Sequence, residues 1–392
     1  MKQIIIAYFL PALVSVFFLN WLINNKNLND VLFKKQVVKT SKTFPAFIAN
    51  FEEYPEYETH FLESNDSSEN IFLLGSSELT TASEAIPFNF ISANFRTQVK
   101  AVGHAGNQCF SIYSQLLANE ERLQNAPVVI ILSPMWFFSQ EANGTSSKVF
   151  LEFNSARFSS KIIANDSVPE FKAYEEMRIS KMFTDFSSPH SDIKQFHFEH
   201  QSSKSPLHFV FFKSLMKINK LLTRTQALCP APIKLRKDIV QDDTNINWDS
   251  LLTFSKQEML ANATNNNWGI DNDYFKDYTK GETKKIKVVP ESANQELHDF
   301  KMLIKLLKAK KVNASFIIIP MNPFFYSNLK DATPLINILA AEIKKANYPC
   351  LNYWVTDPSK YEKGILKDVM HLSPYGWYNV DRFIIETYHL HK

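Results

Sequence analysis

Residues 70–78 of this 392-residue chain read Asn-Ile-Phe-Leu-Leu-Gly-Ser-Ser-Glu, an apolar run that stops at a glycine and gives way to two serines and an acid. A run of this length closed by a turn residue suits a strand buried in a parallel sheet. In open α/β sheets the carboxyl ends of the strands are where ligands bind. A serine in such a turn stands at the rim of the sheet with its own amide beside it. Taken alone, the stretch also fits a plain strand running into a serine-capped helix. The far end of the chain weighs against that plain reading: Asp368-Val369-Met370-His371 offers a base and, three residues before it, a carboxylate to orient it.

The strand signature recurs. Residues 96–102 lead into Gly-His-Ala-Gly-Asn-Gln, residues 127–132 (Pro-Val-Val-Ile-Ile-Leu) form the clearest buried run, and residues 313–320 and 350–354 supply a fourth and a fifth strand. Helical spacing lies between them. Ile112, Leu116, Leu117 and Leu123 share one side of residues 109–123, and Leu297, Phe300, Leu303, Leu306 and Leu307 share one side of residues 290–310. Residues 333–346 and 379–388 read as further helices, with residues 368–377 as the histidine loop. This order predicts βαβ units and an α/β fold around a central parallel sheet.

From residue 139 to 287 the pattern dissolves into predicted helices (148–163, 168–183, 192–201, 206–223, 251–263) and polar loops, which reads as an insertion over the sheet's active edge. Residues 70–392 are therefore expected to form one α/β domain holding the insertion. Residues 4–23 carry no charge and are long enough for one membrane span, so residues 1–25 read as an uncleaved transmembrane anchor with Trp21 at the interface. Residues 26–69 form a polar, lysine-rich connector. A formal charge of +3 gives no sign of nucleic-acid binding. Cys109, Cys229 and Cys350 are too few and too scattered for a disulfide framework, and they read as buried free thiols.

The chemistry follows from the two ends. Ser77 is the expected nucleophile, with Ser76 its competitor one residue earlier in the turn. His371 is the expected general base, oriented by Asp368. The chain has only 8 glycines, and Gly75, Gly103 and Gly106 cluster at strand ends, where an oxyanion site would be built. The amides of Ser77 and Gly106 are the expected donors. Glu78 either polarises the site or is an ordinary first-turn acid. Trp136, Phe137 and Phe138 either line a pocket or pack in the core. His104 reads as a solvated turn residue, and Asp271, Asp273 and Tyr274 as a solvated loop. No residue set has metal-ligand spacing, no phosphate loop appears, and no cofactor is expected.

These blocks resemble the SGNH/GDSL hydrolase superfamily, with Gly75-Ser76-Ser77 in place of Gly-Asp-Ser. More specifically they resemble the DltD family of D-alanyl-lipoteichoic acid biosynthesis proteins. The matching features are Leu-Gly-Ser-Ser-Glu-Leu at 74–79, Gly-x-x-Gly-Asn-Gln at 103–108, Ser-Pro-x-Trp-Phe at 133–137, Gly-x-Asp-x-x-Tyr at 269–274 and His-Leu-Ser-x-x-Gly-Trp at 371–377. The resemblance implies an SGNH-hydrolase-like three-layer sandwich, membrane-anchored and extracytoplasmic. It implies a Ser77–His371–Asp368 triad handling D-alanyl esters or thioesters in teichoic-acid D-alanylation. It also implies partners: a membrane-bound O-acyltransferase, a D-alanyl donor, a teichoic or lipoteichoic acid acceptor and the lipid bilayer. The chain departs from the wider superfamily in lacking an asparagine after the third strand, where Ser133-Pro134-Met135 stands. The side chain of Asn107 is the expected substitute. Two rival functions share much of this pattern: an esterase or O-acetyltransferase on another surface polysaccharide, and a non-catalytic scaffold.

Overall fold

In the computed structural model each of the five runs expected as strands forms one. The structure describes residues 47–51, 70–81, 83–123, 127–154, 168–183 and 246–390, with single positions at 15, 21, 159 and 162. Six strands pair entirely in parallel: β1 (Phe47–Ile48), β2 (Asn70–Leu74), β3 (Gln98–Val102), β4 (Val128–Leu132), β5 (Ala314–Ile318) and β6 (Cys350–Asn352). Their spatial order is β1-β3-β2-β4-β5-β6. Without the two-residue edge strand β1, this is the doubly wound order in which the chain leaves β2 toward one edge, returns, and proceeds from β4 toward the other. The switch point lies between β2 and β4, and in open sheets of this kind ligands bind at that point beyond the strands' carboxyl ends.

The chain divides into two compact units, a larger one of Pro45–Asn50, Phe61–Phe153 and Pro232–Lys392, and a smaller one of Met1–Phe44, Phe51–His60 and Asn154–Ala231. The larger unit carries helices α1 (Pro87–Asn94), α2 (Cys109–Leu117) and α3 (Ser147–Phe153). In the smaller unit the described helix is α4 (Pro169–Met182), whose buried side chains Phe171, Glu175, Arg178 and Ile179 recur at helical spacing. The larger unit resumes with α5 (Trp248–Ala261), α6 (Gln295–Ala309), α7 (Leu329–Lys345) and α8 (Pro374–Tyr388).

Both sheet faces are covered, which is why β2, β4 and β5 are buried at every position. Ile71, Leu73, Val129, Ile131 and Ile317 face one core with Phe88 and Ile91 of α1 and Trp377, Val380 and Ile384 of α8. On the other side α6 packs along α2, and Phe300 of α6 meets Phe316 of β5 edge-on at 6.3 Å. Helix, sheet and helix thus form three layers.

Several expectations shift. The connector supplies β1, a strand too short to leave a signal. Helix α8 begins at Pro374, inside the expected loop, because Ser373 accepts the Gly376 N–H and caps it. Cys109 is buried and free, Cys350 is free but only half-buried, and Cys229 lies outside the described residues. Among the described residues no helix is long and apolar enough to cross a membrane. The expected span at residues 4–23 lies, apart from positions 15 and 21, outside them. So do the helices expected at 192–201 and 206–223.

Candidate active site

The site begins where β2 ends. Leu74 is the last paired residue, and Ser77 opens a 3-10 turn, Ser77–Thr80. As the first residue of that turn, Ser77 has an amide with no partner inside it. Its hydroxyl is partly exposed and lies 3.0 Å from His371 Nε2, a contact spanning 294 residues of sequence.

His371 is held by a closely tied loop. Leu366 and Leu372 form an antiparallel bridge, Lys367 N donates to His371 O at 2.8 Å, and Asn322 N donates to Val369 O at 3.0 Å. Asp368 accepts from the backbone amides of Met370 and His371 with Oδ1, both at 2.8 Å, and its Oδ2 lies 2.8 Å from His371 Nδ1. One carboxylate therefore shapes the loop and orients the ring. Burial opposes the charge on both groups. It is the largest single influence on each, but the hydrogen bond and charge attraction between them, joined by the Met370 and His371 amides on Asp368 and by the Glu78 charge on His371, together outweigh it, so Asp368 is held below the usual carboxylate range and His371 is raised above 6.5. Ser77, His371 and Asp368 form one continuous hydrogen-bonded chain.

The neighbours differ from expectation. Ser76 is buried; its hydroxyl donates to His104 O at 3.1 Å and accepts the Gly106 N–H at 3.1 Å. That hydroxyl is fully occupied, which sets it apart from Ser77. The same bond turns the Gly106 amide away from the role of oxyanion donor expected for it. Gly106 itself has φ +91°, and a Cβ there would lie 2.9 Å from Val149 Cγ2 of α3. Asn107 is fully buried; its Nδ2 donates to Gly75 O at 2.9 Å and its Oδ1 accepts from Gln115 Nε2 at 3.2 Å, so its side chain braces β2 and α2 and does not face Ser77.

Glu78 is no solvent-facing acid. It is 1% exposed, and its Oε1 accepts the Ser76 N–H at 2.6 Å. Burial lifts its carboxyl to about 7. Trp136 is buried in the 3-10 turn Pro134–Phe137 that follows β4, and among the described residues no hydrogen bond links it to Ser77 or His371. Phe137 packs edge-on against Phe300 and Phe138 against Trp354, so both belong to the core. His104 is only partly exposed and has protein partners: its Nε2 lies 2.7 Å from Glu152 Oε2, and its ring lies 4.9 Å from that of Phe153.

Three residues of this region were not anticipated. Asn322 is fully buried and ties the histidine loop to Trp268 O (3.1 Å) and to the Phe324 amide (3.0 Å). Tyr326 and Tyr361, with Tyr274, feel the Asp368 charge; burial and then nearby charge, that of Asp368 included, push all three phenols upward, Tyr274 to about 12. The aromatic run Phe324-Phe325-Tyr326 in the loop after β5 was the available signal. Asp271 caps the turn that carries Tyr274, and its own N–H donates to Lys367 O at 2.9 Å, so the expected loop is anchored to the site. Among the described residues no group of three His, Cys, Asp or Glu side chains could hold a metal ion.

Fold and site together define a doubly wound α/β protein with a serine–histidine–aspartate chain at the carboxyl edge of its sheet, beside the switch point. Comparison with known proteins narrows this class. A family model described as DltD protein matches residues 53–389, and the chain belongs to the DltD family. It is 24% identical over 335 residues to Protein DltD of Bacillus subtilis (strain 168), with 81% of each chain covered. It is 22% identical over 405 residues to Protein DltD of Staphylococcus aureus (strain NCTC 8325 / PS 47), covering 96% of this chain and 94% of that one.

Proposed function

We propose that this protein transfers a D-alanyl group to teichoic or lipoteichoic acid through a covalent ester on Ser77. The observation that carries the reading is the 3.0 Å approach of Ser77 Oγ to His371 Nε2, with Asp368 on the other ring nitrogen. Ser77 Oγ attacks the carbonyl of the D-alanyl donor as its proton passes to His371 Nε2. Asp368 keeps Nδ1 protonated and stabilises the imidazolium. The Ser77 N–H faces the developing oxyanion, where one donor is worth about 3 kcal/mol. Collapse expels the donor's leaving group, which takes the proton from His371. A polymer hydroxyl then attacks the acyl-serine, His371 takes that proton, and Ser77 Oγ leaves with it.

A donor set reduced to one amide suits transfer better than rapid hydrolysis. In this reading the domain has an SGNH-like architecture, residues 4–23 anchor it in the cell membrane, and the site works outside the cytoplasm. Residues 139–287 carry what selects the substrate, and a membrane-bound O-acyltransferase is the partner.

The test is genetic and chemical. A strain carrying Ser77→Ala or His371→Ala, with protein level unchanged, loses its surface D-alanine esters. Full complementation of a deletion by both variants would leave a scaffold and end this mechanism. Retained D-alanine with lost O-acetyl groups would instead favour an O-acetyltransferase.

A further inference from the structure

Among the described residues Glu78 is a buried ionisable group, next to the nucleophile, that the mechanism above does not use. Its position is built in. Gly75 has no side chain, and the space a Cβ would take there is filled by the Glu78 carboxylate, 2.6 Å from where that atom would stand. From this niche Oε1 receives the Ser76 N–H at 2.6 Å, one residue before the serine that meets His371. The carboxylate and the His371 ring also lie within electrostatic reach, so that each favours the charged form of the other.

We propose that Glu78 is a positioning residue whose buried carboxylate fixes the Ser76–Ser77 turn and supplies a second counter-charge to His371 when the ring holds the serine proton. The proposal rests on the acyl-transfer reading and deepens it. Asp368 and Lys367 face His371 from its own loop, and Glu78 reaches it from the turn after β2. Tyr274, Tyr326 and Tyr361 are the phenols that the Asp368 charge acts on. Of the two carboxylates, Asp368 touches the ring directly. Glu78 acts from the turn that carries the nucleophile; burial lifts its carboxyl to about 7, so its counter-charge is present above that pH and fades as it protonates below it.

Glu78→Gln separates the two roles, because glutamine keeps an oxygen to accept the Ser76 N–H and loses only the charge. The full-length protein is labelled with carbon-13 histidine, and the His371 signal is assigned by its absence in His371→Gln. Glu78→Gln is expected to melt at the wild-type temperature and to lower the His371 midpoint by about one pH unit. The acid limb of Ser77 inactivation by a fluorophosphonate moves with it, and the plateau rate drops several-fold. Glu78→Asp, which keeps the charge on a shorter stem, holds the midpoint closer to wild type and covers the case in which Glu78→Gln does not fold. An unmoved midpoint in folded Glu78→Gln, or equal shifts in Gln and Asp, overturns the proposal. If the probe fails to label even wild-type Ser77, the acyl-transfer reading falls, and the histidine titration still decides the role of Glu78.

Discussion

Ser76 and Ser77 carry the same hydroxyl one residue apart, and their surroundings give them opposite tasks. Ser76 bridges His104 O and Gly106 N in the interior, whereas Ser77 meets His371 at the rim. Ser76→Ala therefore costs about 1–3 kcal/mol, read as a lower melting temperature, while Ser77 still reacts with a fluorophosphonate. Ser77→Ala melts as wild type and does not react. The pH dependence follows from His371, which must be neutral to accept a proton and is raised above 6.5. Reaction at Ser77 thus rises with pH through a midpoint above 6.5, and Asp368→Asn moves that midpoint down while slowing the plateau by about 10²- to 10⁴-fold. The linked stability has the opposite sign: the His371 contribution is present below the unfolded pKa and is lost as pH rises through the raised folded value. The pairing of residues 77 and 371 was legible because Asp-x-x-His is a self-sufficient local motif. The duties of Gly106 and Asn107 were not, because their partners, Ser76 and Gln115, are fixed only by the close approach of three chain segments.

At the scale of elements, caps and turns decide where the site residues point. Ser373 receives the Gly376 N–H, donates to Gly364 O and is fully buried, so it joins the end of the histidine loop to the start of α8. Ser373→Ala is expected to cost about 2 kcal/mol, the upper end for a cap, measurable as a fall in the urea midpoint. Asn322→Ala frees the loop from Trp268 and Phe324, and amide exchange at Val369–His371 then quickens more than exchange in β5. The strands were legible because burial on both faces removes the need for polar alternation. The helix starts were less so. Asn294 accepts the Leu297 N–H and donates to Phe137 O, which moves the start of α6 to Gln295, five residues after the apolar pattern suggested. That second bond to the turn after β4 has no local signature.

For the whole molecule, the sheet is the rigid frame and the site hangs from its carboxyl edge. Ile131 lies at the centre of the core on the α1 and α8 face and is fully buried. Ile131→Ala is expected to cost about 2–5 kcal/mol, seen as a lower unfolding midpoint, with the pH midpoint of Ser77 labelling unchanged. The architecture followed from the order of apolar runs, because a parallel sheet forces crossovers and the strand order then sets the crevice. The edge strand β1 could not be read, since two residues carry no period. Acyl transfer at this edge requires Ser77 to be an activated nucleophile. Intact-mass and peptide analysis of the full-length protein after brief exposure to a fluorophosphonate tests this directly. One adduct, on Ser77, lost in Ser77→Ala and strongly slowed in His371→Ala, is the predicted result. An unmodified wild-type protein, or labelling that persists in Ser77→Ala, would contradict it.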